Sequence, residues 1–433
     1  MNFLEIQIKL DQKFWKDTLW NYVSFGVQAI VGVVLNVIIL LSLGADSLGI
    51  FNQIYAIFVI SGQITVLGLH DSAQKHNSEF SDIPIESHLL SVAALLIAIL
   101  AGLVGAVFLA LLSGQIGRFF QSTDVGRGIL LIAPGLFFFT INKVLMGILN
   151  GQRRMGAFAV GQSIRAVSVL LVCLIIVFRK DLPYKFGLSF TCAELLLLFS
   201  LLIFVKPVGF HIVRVGDIRK WMSRHFRFGS KAFVHGFLSE AFIRIDIIML
   251  GIFVSDRAVG IYSFAAMFLE GAYQVSIVIR TITNPILVRL LLLCEKKSIV
   301  SFARRTALLS FSATFIVSAA IILVYPYFKL FIPEETIDSS YGVLLILLTG
   351  LLLYSTCVPF DYIFLQAGKP GIQSVYMTIN TMMNAAMNLA LIPFWGIYGA
   401  CIATAFSFVF SSVLLNVLSS RMLGMHGGIF LHR

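Results

Sequence analysis

Residues 230–254 read SKAFVHGFLSEAFIRIDIIMLGIFV, a stretch that is long and apolar enough to cross a bilayer. It nevertheless contains four ionisable side chains, Lys231, Glu240, Arg244 and Asp246. Such a side chain at membrane depth is costly and usually faces a water-filled cavity or another polar group. The stretch therefore predicts a membrane helix that lines a polar path.

The composition predicts that this helix is one of many. The 433 residues are 58% hydrophobic and 12% charged, whereas about 25% of the residues of a soluble domain are charged. A window of about 20 apolar residues gives twelve candidate spans, at residues 19–43, 48–70, 88–113, 128–149, 156–178, 186–206, 230–254, 259–283, 306–328, 341–366, 371–393 and 397–419. We therefore expect an all-α membrane protein with about 12 transmembrane helices.

The net charge of +11 is unevenly distributed between the loops. If the N-terminus is cytoplasmic, the tails and loops on that side hold twenty lysines and arginines, and the outer loops hold seven. Basic residues are concentrated in cytoplasmic loops of membrane proteins. The bias predicts that both termini are cytoplasmic, and it explains most of the charge without a nucleic-acid partner.

The two halves of the chain resemble each other at their turns. FGVQAI at 25–30 is matched by FGSKAF at 228–233, and GADSLGIFNQIYAI at 44–57 by VSDRAVGIYSFAAM at 254–267. With six spans in each half, this pattern predicts a parallel repeat, in which a pseudo-two-fold axis along the membrane normal relates two six-helix lobes. We expect the lobes at residues 1–206 and 230–433, joined by a cytoplasmic linker at 207–229. The first residues are expected to form an interfacial helix or a loosely ordered tail.

Several motifs recur in the order and spacing of one known family. They are G-I-L-N-G-Q-R-R-M at 147–155, R-I-D-I-I-M-L-G at 244–251 and S-D-x-x-V-G-I-Y-S at 255–263. With twelve spans in two lobes, the chain resembles the polysaccharide biosynthesis protein family, the O-antigen and capsule repeat-unit flippases, over nearly its whole length. That family shares a superfamily with the MATE exporters and the peptidoglycan lipid flippases. The resemblance implies alternating access, with a V-shaped cavity walled chiefly by spans 1, 2, 7 and 8.

The resemblance also implies a function. The chain would move polyprenyl-pyrophosphate-linked oligosaccharide repeat units across the bacterial inner membrane for surface polysaccharide synthesis. Membrane lipids would be its surroundings, and a polysaccharide polymerase and chain-length proteins would be further partners. Such a protein is not an enzyme, so we expect no catalytic residue, cofactor or metal.

Three basic residues are candidates for the anionic head group, namely Arg244, Arg280 and Lys231. Arginine suits a phosphate because its planar guanidinium donates two parallel hydrogen bonds. Arg244 lies four residues after Glu240 on one helix face, so the alternative is an ion pair that fixes helix packing. For Arg280 and Lys231 the alternative is that each side chain extends to the membrane surface.

Other polar residues in the spans are candidates for cation coupling or for binding sugar hydroxyls. The acidic candidates are Glu240, Asp246, Glu270 and Asp361. The alternative for Glu240 is an ion pair with Arg244, that for Asp246 is a packing contact or a pair with a neighbouring helix, and that for Asp361 is a structural role. The amide candidates are Gln28, Asn36, Asn52 and Gln53, which can donate to and accept from sugar hydroxyls or can join helices. Asn380, Asn384 and Asn388 form a stripe on one helix face, for which helix packing is the expected role. We also expect Arg165 to pair with Glu194.

Two other functions are compatible with parts of the sequence. A MATE-type cation-coupled drug exporter would favour an acidic cavity, but spans 7 and 8 hold three bases and three acids. A membrane glycosyltransferase or polymerase needs clustered acids or a large outer loop, and no outer loop exceeds about 15 residues. The chain also contains no H-E-x-x-H, G-x-S-x-G or P-loop pattern.

Overall fold

The computed structural model describes residues 3–204, 215–292, 296–425 and 428–430, and this part of the chain is helical without any strand. Along these ranges, twelve α-helices follow one another: α1 (Phe3–Val66), α2 (Leu69–Glu79), α3 (Pro84–Phe119), α4 (Thr123–Gly151), α5 (Met155–Phe178), α6 (Phe186–Phe204), α7 (Val215–Phe253), α8 (Asp256–Leu292), α9 (Lys296–Val324), α10 (Glu334–Ser355), α11 (Ile363–Gln366) and α12 (Pro370–Met422). The predicted all-α membrane fold is confirmed.

Two of these helices each contain two of the predicted spans. α1 is interrupted at Gly44, where φ is +83°, and α12 at Gly396, where φ is +54°. Glycine adopts this left-handed conformation without the steric cost that a Cβ adds, so the chain can kink between one span and the next. Within the described ranges, nine segments are long and apolar enough to cross a membrane, and the charged helix α7 is not one of them.

Two spans end earlier than the sequence predicts. The second ends at Val66, because Leu67 and Gly68 both have positive φ, and residues beyond them form α2. The tenth ends at Ser355 and is followed by a short 3₁₀ turn that contains Pro359. Proline lacks the N–H that continues a helix. The placement of Asp361 on the tenth helix was therefore wrong, since it lies in the turn between α10 and α11.

The predicted linker at 207–229 is partly described. Residues 205–214 lie outside the described part of the chain, and from Val215 onward the segment is the start of α7. The indole of Trp221 is buried against α3, and its Nε1–H donates to Glu86 Oε1 at 2.8 Å. His225 Nε2 donates to the carbonyl of Leu90 at 2.9 Å. These turns of α7 are packed against α3, while their role as a linker between lobes stays a prediction.

The chain divides into two compact units. Unit 1 comprises residues 1–43 and 53–240, and unit 2 comprises residues 44–52 and 241–433. In unit 1, α4 is the most deeply buried span and packs against α3 and α6. In unit 2, α10 packs against α8 and α12. The predicted lobe limits at 206 and 230 stay predictions, as does an interfacial helix at the N-terminus.

Within unit 2, the turn after Gly44 packs closely against the start of α8. A Cβ added at Gly49 would lie 1.8 Å from the carbonyl oxygen of Asp256, and one added at Gly260 would lie 1.9 Å from that of Ala45. Gly49 and Gly260 are matched positions in the predicted repeat, and Ala45 and Asp256 each lie four residues before one of them. The contact is therefore reciprocal, as contacts across a two-fold axis are. Both glycines are required because any side chain would separate the backbones.

Candidate functional site

The carboxylate of Asp246 is the centre of a buried polar cluster in unit 2. Its side chain extends from α7 and is 6% exposed. The hydroxyl groups of Tyr262 and Thr404 donate to Oδ2 at 2.8 and 2.5 Å, and the Nδ2 of Asn388 donates to Oδ1 at 2.6 Å. No basic side chain lies within ion-pair distance of Asp246 among the residues described. A buried carboxylate is thus held by neutral donors alone.

Two asparagines of α12 extend this cluster. Asn388 Nδ2 also donates to Asn384 Oδ1 in a very close contact. Asn388 Oδ1 and Asn384 Nδ2 are buried and have no hydrogen-bond partner within the described ranges. Oxygen atoms of Asp246, Thr404 and Asn384 therefore lie in one buried cluster with the amide of Asn388. Hard cations prefer oxygen ligands, so this donor set fits a monovalent metal cation or a proton.

The sequence alone singled out Asp246 but not all of its partners. Tyr262 and Thr404 were not candidates, because a hydroxyl in an apolar helix is common and nothing in the local pattern relates α8 or α12 to α7. Asn384 and Asn388 were expected to pack helices. In the structure Asn388 donates to Asp246, so the stripe is joined to the buried carboxylate of α7.

Arg280 and Asp361 form a buried ion pair in unit 2. Arg280 Nη1 lies 2.7 Å from Asp361 Oδ2, and the guanidinium lies over the ring of Tyr362 at 4.5 Å. The two side chains are 15% and 9% exposed. The Arg280 guanidinium is therefore largely buried, and the carboxylate of Asp361 balances its charge. Binding of a phosphate by Arg280 stays a prediction, and it would require this ion pair to open.

Unit 1 contains the expected pair between α5 and α6. Arg165 Nε lies 2.6 Å from Glu194 Oε1, and Arg165 Nη2 donates to Oε2 at 3.2 Å. Asn142 of α4 donates through Nδ2 to the same carboxylate at 2.8 Å and to the backbone carbonyl of Glu194 at 2.7 Å. This network joins three helices around a side chain that is almost fully buried. The predicted Arg165–Glu194 ion pair is confirmed.

The remaining acidic and basic candidates differ in how far they are buried. Glu240 and Arg244 are half-buried, one turn apart on α7, whereas Lys231 and Glu270 are exposed. The proposed anion site at Arg244 and Lys231 and the coupling role of Glu240 and Glu270 stay predictions.

The amide candidates of α1 bond to their own helix. Gln28, Asn36 and Asn52 each donate a side-chain N–H to the carbonyl one turn earlier, at 3.2, 2.8 and 3.0 Å. Gln53 is buried. The amide oxygens of the first three are not used in these bonds, so a role in binding sugar hydroxyls stays a prediction for all four residues.

The chain is similar to known membrane proteins in sequence and in fold. The profile of the family described as "Polysaccharide biosynthesis protein" matches residues 14–291, well over half of the chain. No curated protein matches it significantly.

Three solved structures share the fold at low sequence identity. An inward-facing MATE family multidrug resistance transporter aligns with a TM-score of 0.78 at 13% identity, covering 92% of this chain and 94% of the other. The lipid II flippase MurJ in an inward closed conformation aligns at 0.71 and 14%, covering 93% and 87%. The MATE multidrug transporter DinF-BH aligns at 0.64 and 17%, covering 98% and 97%.

The membrane spans agree with the family match over residues 14–291. The chain is a multi-pass membrane protein with the fold of MATE transporters and of a lipid flippase. It therefore belongs to the polysaccharide biosynthesis protein family.

Proposed function

We propose that the chain is a flippase that moves lipid-linked oligosaccharide repeat units across the bacterial inner membrane by alternating access. The family match over residues 14–291 carries this proposal, because the family's description names polysaccharide biosynthesis. The fold supports it, since the same fold serves one lipid flippase and several transporters. The polyprenyl chain would remain in the lipid while the pyrophosphate and the sugars cross. No covalent step is needed, so we propose no enzymatic activity.

Arg244 is the residue that we propose for the anionic head group. It is half-buried in the apolar part of α7, where a fixed positive charge offsets part of the cost of removing a pyrophosphate from water. Lys231 lies thirteen residues earlier, about 20 Å along the helix, and is exposed. We propose that it attracts the head group before binding. Arg280 is a weaker candidate because Asp361 already balances its charge.

Asp246 is the residue that we propose for cation coupling. Its carboxylate has neutral donors only, in the described part of unit 2, and the nearby amide Oδ1 of Asn388 has no partner there. A monovalent cation or a proton at this position would balance the charge of Asp246. Moving one charge through the membrane potential yields about 2.3 kcal/mol per 100 mV, which would favour one direction of transport. A polysaccharide polymerase and chain-length proteins are the proposed partners.

A second candidate function is that of a cation-coupled drug exporter, which the TM-score of 0.78 with a MATE transporter favours.

The flippase and exporter functions are distinguished by deleting the gene in a bacterium whose surface polysaccharide depends on it. We expect lipid-linked repeat units of full length to accumulate on the cytoplasmic leaflet, out of reach of an impermeant glycosidase added to spheroplasts. Normal polysaccharide with increased drug sensitivity would favour the exporter instead. Accumulation of shortened oligosaccharides, measured by mass, would favour a glycosyltransferase.

The matched control for this experiment is the same strain carrying the wild-type gene on a plasmid, which should restore normal polysaccharide. A plasmid with Asp246→Asn should not restore it, although the protein reaches the membrane at a similar level. Restoration by Asp246→Asn would contradict the coupling role but not the flippase assignment.

A further inference from the structure

One face of the first half of α12 carries four buried amides. Gln373, Asn380, Asn384 and Asn388 are 2%, 6%, 1% and 0% exposed. Their spacing of seven, four and four residues keeps them on one side of the helix, and they span about 22 Å along its axis. Amides at these positions are costly in a membrane unless each finds a partner.

Each of these amides has a polar atom that is buried without a partner. Within the described ranges, this holds for Gln373 Oε1, Asn380 Oδ1, Asn384 Nδ2 and Asn388 Oδ1. Buried polar atoms in folded proteins are almost always satisfied by protein, water or an ion. Three of these atoms, on Gln373, Asn380 and Asn388, are amide oxygens on a single face of one helix, where they can bind water or a passing cation.

Each end of the amide row is attached to a buried carboxylic acid residue. At one end, Asn388 Nδ2 donates to Asp246 Oδ1 at 2.6 Å. At the other end, Gln373 Nε2 donates to the backbone carbonyl of Asp361 at 2.9 Å. Asp361 Oδ1 is itself buried and has no partner among the residues described. The row therefore runs from Asp246 to Asp361 without leaving unit 2.

Between the two ends, the row is continued by Tyr376, a buried tyrosine one turn after Gln373 and four residues before Asn380. Its hydroxyl donates to the carbonyl of Ser411 at 3.4 Å, and its oxygen lies near the amide of Asn380. The guanidinium of Arg280 is the positive charge that would oppose a cation at the Asp361 end, and the ion pair with Asp361 neutralises it.

We infer that this row is a hydrated conduit through unit 2, along which a monovalent cation, either Na⁺ or a proton, moves between Asp246 and the end of α12 at Asp361. The inference rests on the proposed cation site at Asp246. The amide oxygens replace part of the cation's hydration shell, and the neutral row carries no charge that would hold the cation in place. The charge bias of the loops predicts that the Asp361 end faces the cytoplasm.

The test measures cation movement by the purified full-length protein in liposomes. One arm follows ²²Na⁺ exchange with equal sodium concentrations on both sides, and a sodium-free arm imposes a pH gradient and follows protons with an entrapped pH dye. The wild-type protein should exchange one of the two cations, and the arm that responds identifies it. Exchange of neither by the wild-type protein would overturn the inference.

Asn380→Leu is the main variant because leucine has nearly the same shape and offers no polar atom. We expect exchange to slow by about tenfold, a barrier increase of about 1.4 kcal/mol, while equilibrium cation binding is unchanged. Gln373→Leu, at the far end of the row, should have the same effect and replaces Asn380→Leu if that variant fails to fold. Asn380→Ser should exchange nearly as fast as wild type, because it keeps a polar atom and leaves room for water.

Thr381→Val is the matched control on the same helix. Thr381 is also buried, but its hydroxyl donates to the carbonyl of Met377 at 2.9 Å and is not part of the row. This variant should exchange like wild type, and slowing equal to that of Asn380→Leu would overturn the conduit by showing a general packing effect.

Asp246→Asn separates the two proposals. It should abolish cation binding, and normal binding would refute the cation site itself. A further outcome is that Asp246→Asn loses cation binding while Asn380→Leu and Gln373→Leu still exchange cations at the wild-type rate. That result would refute the conduit but would support the cation site at Asp246.

Discussion

Asp246 Oδ1 accepts a hydrogen bond from Asn388 Nδ2 at 2.6 Å, although the two residues are 142 positions apart in the chain. This bond joins the charged helix α7 to the amide face of α12. It places the most deeply buried acid of α7 in a cluster of neutral donors, whereas Arg244, two residues earlier, is half-buried. The two ionisable residues of α7 that carry the proposed function therefore differ in burial.

Arg244 should be required for transport but not for folding. In a strain whose surface polysaccharide depends on this protein, we expect Arg244→Ala to abolish polysaccharide at normal protein level, because the head group loses its positive partner. Arg244→Lys should retain part of the function, since it keeps the charge but not the planar fork. Polysaccharide gels and immunoblots provide the measurement. Normal polysaccharide with Arg244→Ala would refute the anion role.

Gly260→Ala should destabilise unit 2. A Cβ at this position would lie 1.9 Å from the carbonyl oxygen of Ala45, which is backbone and cannot rotate away. We expect a loss of about 1 to 3 kcal/mol, the range for overpacked sites, measured as a lower melting temperature in detergent. Gly271→Ala on the same helix is the control, because nothing lies within 4 Å of its added Cβ. Equal melting temperatures of the two variants would contradict the close approach.

Glu194 should be important for the stability of unit 1. Glu194→Ala leaves the Arg165 guanidinium buried without its partner, and the expected loss is about 3 to 5 kcal/mol. The double variant Arg165→Met with Glu194→Leu should recover part of it, because no unpaired charge remains. Glu334→Ala, which breaks an exposed pair with Lys329, should leave the melting temperature nearly unchanged, because solvent screens an exposed ion pair. A double variant that melts below Glu194→Ala would show that the pair is not the cause.

The stability of unit 1 should decrease in acid because of His225, which lies outside the apolar part of α7. Burial lowers the pKa of His225 to about 4, whereas an unfolded histidine titrates near 6.5. Between these two pKa values the unfolded chain binds more protons than the folded chain. The free energy of unfolding that is present above about pH 6.5 is therefore lost as the pH falls toward 4. We expect a loss of about 1 to 2 kcal/mol at pH 5, seen as a lower melting temperature.

The control for the pH experiment is His225→Gln, which should show a smaller difference between pH 7.5 and pH 5. It should not remove the difference entirely, since burial also lowers the pKa of the neighbouring His76, partly opposed by Glu79. The rings of His76 and His225 are 5.5 Å apart, and Ser72 bonds to His225 Nδ1 at 2.8 Å. Arg224 also disfavours a charge on His225. An unchanged pH dependence in His225→Gln would contradict this origin.

Much of the fold could be predicted from the sequence. The spans follow from apolar runs, and the kinks at Gly44 and Gly396 fall between predicted spans. The end of the tenth span could not be predicted from hydropathy, because residues 356–366 remain apolar although Pro359 stops the helix. The start of α7 was also missed, since its basic residues indicate a loop while Trp221 and His225 pack against α3.

The candidate site was only partly predictable. The sequence shows that Asp246, Arg280 and Asp361 are ionisable residues in apolar segments, but pairing depends on how distant helices pack. Arg280 and Asp361 are 81 positions apart, so no local spacing relates them. The asparagine stripe of α12 was visible as a pattern, and only the packing of α7 and α12 shows that it ends at Asp246.

The most direct measurement is the translocation of a polyprenyl-pyrophosphate-linked oligosaccharide by the purified protein in liposomes. An impermeant glycosidase reports the fraction of the substrate on the outer leaflet over time, with a cation gradient imposed. We expect wild-type protein to move the substrate faster than protein-free vesicles do, and Asp246→Asn to move it at the background rate. Translocation by wild-type protein no faster than in protein-free vesicles would contradict the flippase assignment.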